Sequence, residues 1–351
     1  CTLIDYERIT DAEGRRLVFF GRFAGLAGMI DTLWALGRRL VHEGFANSPF
    51  AAIEPAHRYD DLDHVRRAFG EVAERLRAEG LPASLRPFVC GFAGYGQVSA
   101  GAQEIYDLLG VKEVAPEALA ELPADSAELY KIVFREEHLV RRIDESQPFE
   151  LQEYYDQPER YTEAFFPHVA HLTLLVNGIY WEPKYPTLLT REQLAELYGG
   201  AEPPRLRVIG DLTCDIDGSL ACTTHSTEPG DPIYVYDPTS GKTSDGVAGR
   251  GPVVLAVAFL PCELSFDASS YFSRTFTPFV AGLAQADHTL PLEDSGLPPE
   301  LVRATIVHRF ELTQDYRYLQ EFVDPLSPAR WWNGERTRST RRTHGGCQAC
   351  L

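Results

Sequence analysis

A doubly wound α/β fold, with a parallel sheet covered by helices, is what this sequence predicts, and three observations predict it. Short apolar segments of strand length alternate with segments of helical period. One of them, residues 253–260, is apolar throughout, as expected of a strand buried on both faces. A glycine-rich stretch, residues 91–101, joins a strand-like segment to a helix-like one.

The elements follow in order. Leu17-Val-Phe-Phe20 reads as a short buried strand. Residues 24–40 carry the helical period, with Leu26, Met29, Ile30, Leu33, Trp34, Leu36 and Leu40 on one broad face. Residues 60–80 form a clean amphipathic helix, with Leu62, Val65, Phe69, Val72 and Leu76 at helical spacing, Asp at its start and Gly80 as its stop. Strand, helix and weaker strand then follow at residues 88–91, 98–109 and 111–114. Further strands are expected at 172–176, 206–210 and 253–260, with a helix starting at Thr190. Residues 115–165 are rich in Glu, Asp, Tyr and Pro and read as a helical and looped excursion of unresolved organisation. There are no internal repeats.

The glycine stretch carries the most specific chemistry. Gly94-x-Gly96-x-x-Ser99 lies between strand and helix, with Gln97, Val98 and Gly101 around it. The first glycine makes a tight turn. The second lets backbone approach a diphosphate, and the third small residue lets the helix pack on the strand. The helix start then supplies unpaired N–H groups and partial positive charge. This is a Rossmann-type dinucleotide fingerprint with Ser in its third position. The acid that usually holds the adenine ribose lies about 20 residues on. Glu113 is the nearby candidate, and its alternative reading is a solvated surface charge, so NAD and NADP both remain open.

A second cluster follows the strand at 206–210. Asp211, Asp215 and Asp217 precede Gly218 and Ser219. Carboxylates there stand where open α/β sheets bind ligands, able to hold an amino group or relay a proton; an ordinary Asx-rich turn is the alternative, and a metal is a third reading that no His or Cys pattern supports. Asn177-Gly178, at another strand end and next to Tyr180 and Trp181, either lines a cleft or forms a plain turn.

Composition narrows the partners. The 351 residues are 44% hydrophobic and 24% charged, with a formal charge of −18. A surface this acidic repels nucleic-acid phosphate and anionic lipid, so neither is expected as a partner. No apolar run reaches the about 18 residues of a membrane span. Seven cysteines at irregular spacing fit reduced thiols and a cytoplasmic location, with a mitochondrial one left open. No metal is expected: His344-x-x-Cys347-x-x-Cys350 lacks a fourth ligand. The tail from Pro328 carries five Arg against one Glu and is expected to be disordered.

Taken in series, Leu3-Ile-Asp-Tyr-Glu7, Gly14-Arg-Arg-Leu-Val18, residues 21–28, residues 96–104, Leu175-Val-Asn-Gly-Ile-Tyr-Trp-Glu182 and residues 211–219 resemble the lysine-ketoglutarate reductase and saccharopine dehydrogenase family over roughly residues 2–325. They are more distantly similar to alanine dehydrogenase. The resemblance implies a dinucleotide-binding domain with remnants of a second, discontinuous α/β domain. The expected division is 1–20 for the N-terminal remnant, 21–288 for the Rossmann-like domain, 289–327 for a C-terminal return and 328–351 for the tail. The resemblance also implies reductive condensation of lysine with 2-oxoglutarate, or its reverse, with NAD or NADP. Gly94, Gly96, Gln97, Val98, Ser99, Gly101, Asn177, Gly178 and Asp211 would serve the cofactor, Asp215 the reacting centre, and Arg16 and Phe20 would face substrate. The small-molecule partners would be an amino acid and a 2-oxo acid.

Two departures accompany the resemblance. The family's Lys and His acid–base pair lies upstream of anything present here, so the chain reads as lacking an N-terminal domain or a fused dehydrogenase partner. The family's Asp-Asn-Leu-Pro or Asp-His-Leu-Pro is Ala258-Phe259-Leu260-Pro261. A non-catalytic dinucleotide-binding module, or another amino-acid dehydrogenase, is the competing reading.

Overall fold

The computed structural model describes residues 1–323. The expected tail at 328–351 and the His344/Cys347/Cys350 set lie outside the described residues. The chain divides into two compact units, Phe20–Ala268 and a terminal unit of Cys1–Phe19 with the described residues from Ser269 onward.

The larger unit is built on an eight-stranded sheet, numbered here in chain order: β1 Phe88–Ala93, β2 Lys112–Glu113, β3 Leu129–Phe134, β4 Leu174–Asn177, β5 Val208–Asp211, β6 Ile233–Asp237, β7 Lys242–Asp245 and β8 Val253–Leu255. Their spatial order is β7-β6-β8-β5-β4-β1-β3-β2. The six strands from β8 to β2 run parallel, and β6 and β7 add an antiparallel hairpin at one edge. The doubly wound parallel sheet is therefore present, with an antiparallel edge that the sequence reading did not supply.

Its helices are α1 Gly21–His42, α2 Leu62–Glu79, α3 Gln97–Asp107 and α4 Arg191–Tyr198. In α2 the Asp61 carboxylate accepts from the His64 N–H at 2.7 Å, and Gly80 ends the helix at φ +70°. That is the capping chemistry its sequence announces. α4 is closed at its start by a reciprocal Thr190–Gln193 box. Helix α1 is buried on nearly all sides. It meets α3 backbone to backbone: a Cβ on Gly25 would stand 1.9 Å from the Val98 carbonyl oxygen, and one on Gly101 2.1 Å from that of Arg22. Gly101 is thus a helix-packing residue, not the diphosphate contact implied by the resemblance.

Three expectations change. Leu17-Val-Phe-Phe20 is not a strand; only Arg16 bridges, to Thr10. The run 253–260 pairs as β8 only through Leu255, with Val257 in an isolated bridge, and turns at Leu260 into a short 3-10 helix. β3 lies inside the stretch read as a helical and looped excursion, because Lys131 interrupts its apolar run and hides the strand. That lysine is buried, its ammonium neutralised by Asp107 at 2.8 Å and Glu113 at 3.1 Å.

The terminal unit has its own small core of Ile9, Val18, Leu297, Leu301 and Ala304. A three-stranded antiparallel sheet joins Leu3–Ile4, Thr305–His308 and Glu311–Leu312. Phe272, Phe276, Phe279 and Leu283 of helix α5, Ser265–Gln285, pack on that core. Those contacts put the change of unit at 268/269, inside α5, whereas the sequence reading placed it at 288. Among the described residues, no helix is long and apolar enough to cross a membrane.

Candidate functional site

The strand register aligns Phe134, Ala93, Asn177 and Asp211 in one row at the carboxyl ends of β3, β1, β4 and β5. The chain leaves each strand still tied to its neighbour: the Gly94 N–H donates to the Phe134 carbonyl, Gly178 to Ala93 and Leu212 to Asn177, at 2.9, 3.0 and 3.0 Å. Apart from Phe20, the residues predicted for the site in this unit lie on or after that row.

Gly94 has φ +93°, a conformation open to glycine and costly for other residues. At Gly96 an added Cβ would meet nothing within 4 Å, so its backbone faces open space. The first backbone bond of α3 runs from Ala100 to the Gly96 carbonyl at 2.9 Å, and no side chain caps the helix. The N–H groups of Gln97, Val98 and Ser99 therefore precede the helical ladder, at the positive end of the macrodipole. Gln97 is exposed, while Val98 and Ser99 are buried. Beside this turn lies a cavity of about 440 Å³ lined by Gly94, Gly96 and Gly178, with Tyr95, Glu136, Tyr155 and Trp181 among the polar and aromatic groups. The Asn-Gly turn after β4 thus reaches the same cavity as the glycine loop.

Asn177 and Asp211 lie beneath the surface, both fully enclosed. Asn177 Nδ2 donates to Asp211 Oδ1 at 2.9 Å and reaches Thr213 Oγ1 at 3.2 Å and Ser219 Oγ at 2.9 Å. The Thr213 hydroxyl also donates to Asp211 at 3.0 Å, and the Thr223 hydroxyl donates to its other oxygen. Burial lifts the Asp211 carboxyl above the usual carboxylate range, and these donors pull it back. The donors fix the Asn177 amide: its nitrogen must face the carboxylate, which leaves Oδ1 buried with no partner among the described residues. Asp215, further along the turn, is pushed up to about 6 by burial and by the charge of Asp211. Cys214 and Asp217 take positive φ, at 54° and 52°, to turn the chain.

Of the predicted residues, Gly94, Gly96 and the start of α3 converge with Gly178, and Asn177, Asp211 and Ser219 form one network below. Phe20 is the residue before α1. Arg16 belongs to the terminal unit, where its guanidinium reaches the Val18 carbonyl at 3.5 Å. The sequence reading did not single out Tyr95, Arg135, Glu136 or Tyr155. Arg135 and Glu136 had one legible signal, their place directly after an apolar strand, and Lys131 masked that strand. Among the described residues, no group of three or more His, Cys, Asp or Glu is placed to hold a metal ion.

A parallel sheet with a glycine turn and an uncapped helix at its centre defines a Rossmann-type α/β protein. No protein-family model matches the chain. It is 35% identical over 332 residues to the alpha-aminoadipic semialdehyde synthase of Arabidopsis thaliana, covering 91% of this chain and 30% of that protein. It is 34% identical over 335 residues to the mitochondrial alpha-aminoadipic semialdehyde synthase of Mus musculus, covering 91% and 36%. The saccharopine dehydrogenase (NAD(+), L-lysine-forming) of Schizosaccharomyces pombe is 23% identical over 292 residues, covering 82% and 63%. An L-alanine dehydrogenase of known structure superposes with a TM-score of 0.47 at 15% identity, covering 92% of this chain and 69% of that one. The resemblance to the lysine-ketoglutarate reductase and saccharopine dehydrogenase family is thus borne out over 91% of the chain. The chain spans about a third of the length of the semialdehyde synthases it matches.

Proposed function

We propose that this chain holds a nicotinamide dinucleotide, NAD or NADP, as part of an oxidoreductase acting on the C–N bond of saccharopine or a related amino acid. The reaction is reductive condensation of lysine with 2-oxoglutarate or its reverse. The observation that carries the reading is the start of α3: three uncapped amides, an open backbone at Gly96 and an adjoining cavity at the carboxyl ends of the strands. These features fit a diphosphate in an acidic protein, where attraction must come from local N–H groups and a helix end.

In this reading the amides of Gln97, Val98 and Ser99 bind the diphosphate, and Gly94 sets the turn that aims them. A bound nicotinamide would supply or accept the hydride. Asn177, Asp211, Thr213, Ser219 and Thr223 keep the floor of the site rigid, so no reorganisation is needed when ligand arrives. Asp215, with its value near 6, holds or releases a proton close to neutral pH. Arg16 and Phe20 face substrate by the same resemblance. The full reaction calls on a further acid–base domain or a fused dehydrogenase partner. The proposed compartment is the cytoplasm or the mitochondrion, the latter because the mouse relative is called mitochondrial.

One observation favours binding without turnover: Ala258 and Phe259 stand where the family carries a carboxylate and a polar partner. Titration with NADH and NADPH by fluorescence, followed by assay of lysine plus 2-oxoglutarate, separates the two. Saturable binding with coenzyme oxidation supports the enzyme; binding alone supports the module; no binding of either coenzyme removes both.

A further inference from the structure

His138 is held by two partners that suit different protonation states. It lies in the short helix Glu136–Leu139, which follows β3. The Arg135 N–H donates to His138 Nδ1 at 3.0 Å, and the His138 N–H donates back to the Arg135 carbonyl at 2.9 Å. His138 Nε2 lies 3.3 Å from Oε1 of Glu117, on the 3-10 turn Pro116–Glu121. A ring nitrogen that accepts carries no proton, so Nδ1 is bare and the Nε2–H faces the carboxylate. A second proton would set an Nδ1–H against the Arg135 N–H. The bond to Arg135 would then be lost, while the pair with Glu117 would gain full charge.

We propose that His138 is a proton-operated catch on the wall of the coenzyme cavity: neutral, it fixes the turn Arg135–Leu139, and protonated, it gives up the Arg135 amide for Glu117 and weakens dinucleotide binding. The proposal rests on the dinucleotide reading of residues 94–99.

The turn carries part of that wall. Glu136 and Leu139 line the cavity together with Gly94 and Gly96. Glu136 Oε1 accepts from the hydroxyl of Tyr155, another lining residue, at 2.7 Å. The Arg135 guanidinium lies 4.5 Å from the centre of the Tyr95 ring, which also lines it. The Phe134 carbonyl, one residue ahead of the turn, accepts from the Gly94 N–H. A turn freed at the Arg135 amide therefore loosens several lining groups at once, next to the glycine turn.

The surroundings direct the titration to His138. Imidazole is the side chain that ordinarily changes charge between about pH 5 and 8. The backbone N–H of Glu117, with His138 beside it, holds the Glu117 carboxyl below the usual range, so it stays charged across that interval. Burial, with His138 and His171 as neighbours, holds His168 on the segment Phe166–Val169 below the usual imidazole range. His171 stands beside His168 and serves as the control. The remaining charged groups are those of the turn itself: Arg135 on Tyr95, Glu136 on Tyr155, and the exposed Glu137.

The test is NADH titration of the full chain by fluorescence between about pH 8 and about pH 5.5, with the Arg135 amide resonance followed by NMR over the same range. Wild-type affinity is expected to fall about fivefold toward acid, the order of one hydrogen bond, as the Arg135 resonance moves with the same midpoint. His138→Gln offers Arg135 an acceptor that does not titrate, as a glutamine does in a capping box. It should keep the alkaline affinity and a fixed Arg135 resonance throughout. His138→Leu, with no acceptor, should bind about fivefold more weakly at every pH. Glu117→Gln, an exposed change that leaves the turn intact, removes the charge favouring the second proton and should move the midpoint to lower pH. His171→Gln should leave the profile unchanged. Circular dichroism checks that each variant is folded. The same acid decline in wild type and folded His138→Gln overturns the proposal, as does NADH binding by the wild type at an affinity independent of pH. Absence of NADH binding at the alkaline end overturns the dinucleotide reading, and the proposal falls with it.

Discussion

Asp211 and Asp31 are both fully enclosed in the larger unit, yet very different numbers of donors reach them. Asp211, at the carboxyl end of β5, accepts from Asn177, Thr213 and Thr223 side chains and from the Cys214 backbone. Asp31, in the middle of α1, accepts from the Ala56 N–H at 2.7 Å, and its other oxygen has no donor among the described residues. Facing it is Glu263, also buried, with one oxygen 3.3 Å from His57 Nδ1 and the other without a donor among the described residues. Two acceptors that meet without a donor are one proton short. Burial lifts both acids, and the charge of Asp31 lifts Glu263 further, to about 9, so the pair shares a proton at neutral pH. The contrast separates two uses of a buried acid. The Asp211 network supplies its own donors and keeps a polar floor fixed beneath the proposed binding site. The Asp31–Glu263 pair uses a proton to join α1 to the segments 56–58 and 260–264.

The largest effect expected from breaking this contrast is at Asp211. Asp211→Ala would strip the acceptor from several enclosed donors and cost about 3 kcal/mol or more, seen as a lower denaturation midpoint in urea. A loss below 1 kcal/mol would mean water already serves those donors.

The acid pair gives a smaller, pH-dependent effect. Glu263 has a folded value above its unfolded one, so the folded state binds the extra proton. Its stabilising contribution is complete below the ordinary carboxylate range and is lost as pH rises through about 9. Melting temperature should therefore fall between pH 5 and pH 9 in the wild type. Glu263→Gln supplies a permanent donor to Asp31 and should flatten that fall, gaining about 1–2 kcal/mol at pH 9. Equal slopes in the two proteins would show that the pair does not share a proton.

Asp215 should move stability least. Its raised value has the same sign, with stability lost as pH rises from the ordinary carboxylate range through about 6. The side chain is only partly enclosed, so Asp215→Asn should gain less than about 1 kcal/mol at pH 7. Its sharper signature is kinetic: any turnover by the chain should lose an ionisation near pH 6 in the variant. A pH–rate profile that keeps it would assign that ionisation elsewhere.

How far the sequence reveals these features depends on how local their physics is. Helix α2 is legible end to end because its apolar stripe, Asp61 cap and Gly80 stop act within a few residues. The glycine turn is legible for the same reason, since Gly94 and Gly96 each answer to their own backbone. β3 escapes notice because one buried lysine, satisfied by Asp107 and Glu113 on other elements, breaks its apolar run. Leu17-Val-Phe-Phe20 looks like a strand but has no partner strand along its length. Glu113 fits the spacing of a ribose acid, but its place on an edge strand beside Lys131 comes from elements distant in sequence. The Asp31–Glu263 pair joins residues far apart in sequence, and nothing local to either predicts the other.

The central claim is that backbone amides after β1 receive a diphosphate, and NADH titration of Gly96→Val beside the wild type tests it most directly. An added side chain at Gly96 meets open space in the folded chain, whereas one at Gly101 would collide with the Arg22 carbonyl. The account predicts saturable NADH binding by the wild type and its loss in Gly96→Val, with melting temperature nearly unchanged, while Gly101→Val loses the fold itself. Undiminished affinity in a folded Gly96→Val chain would contradict the account.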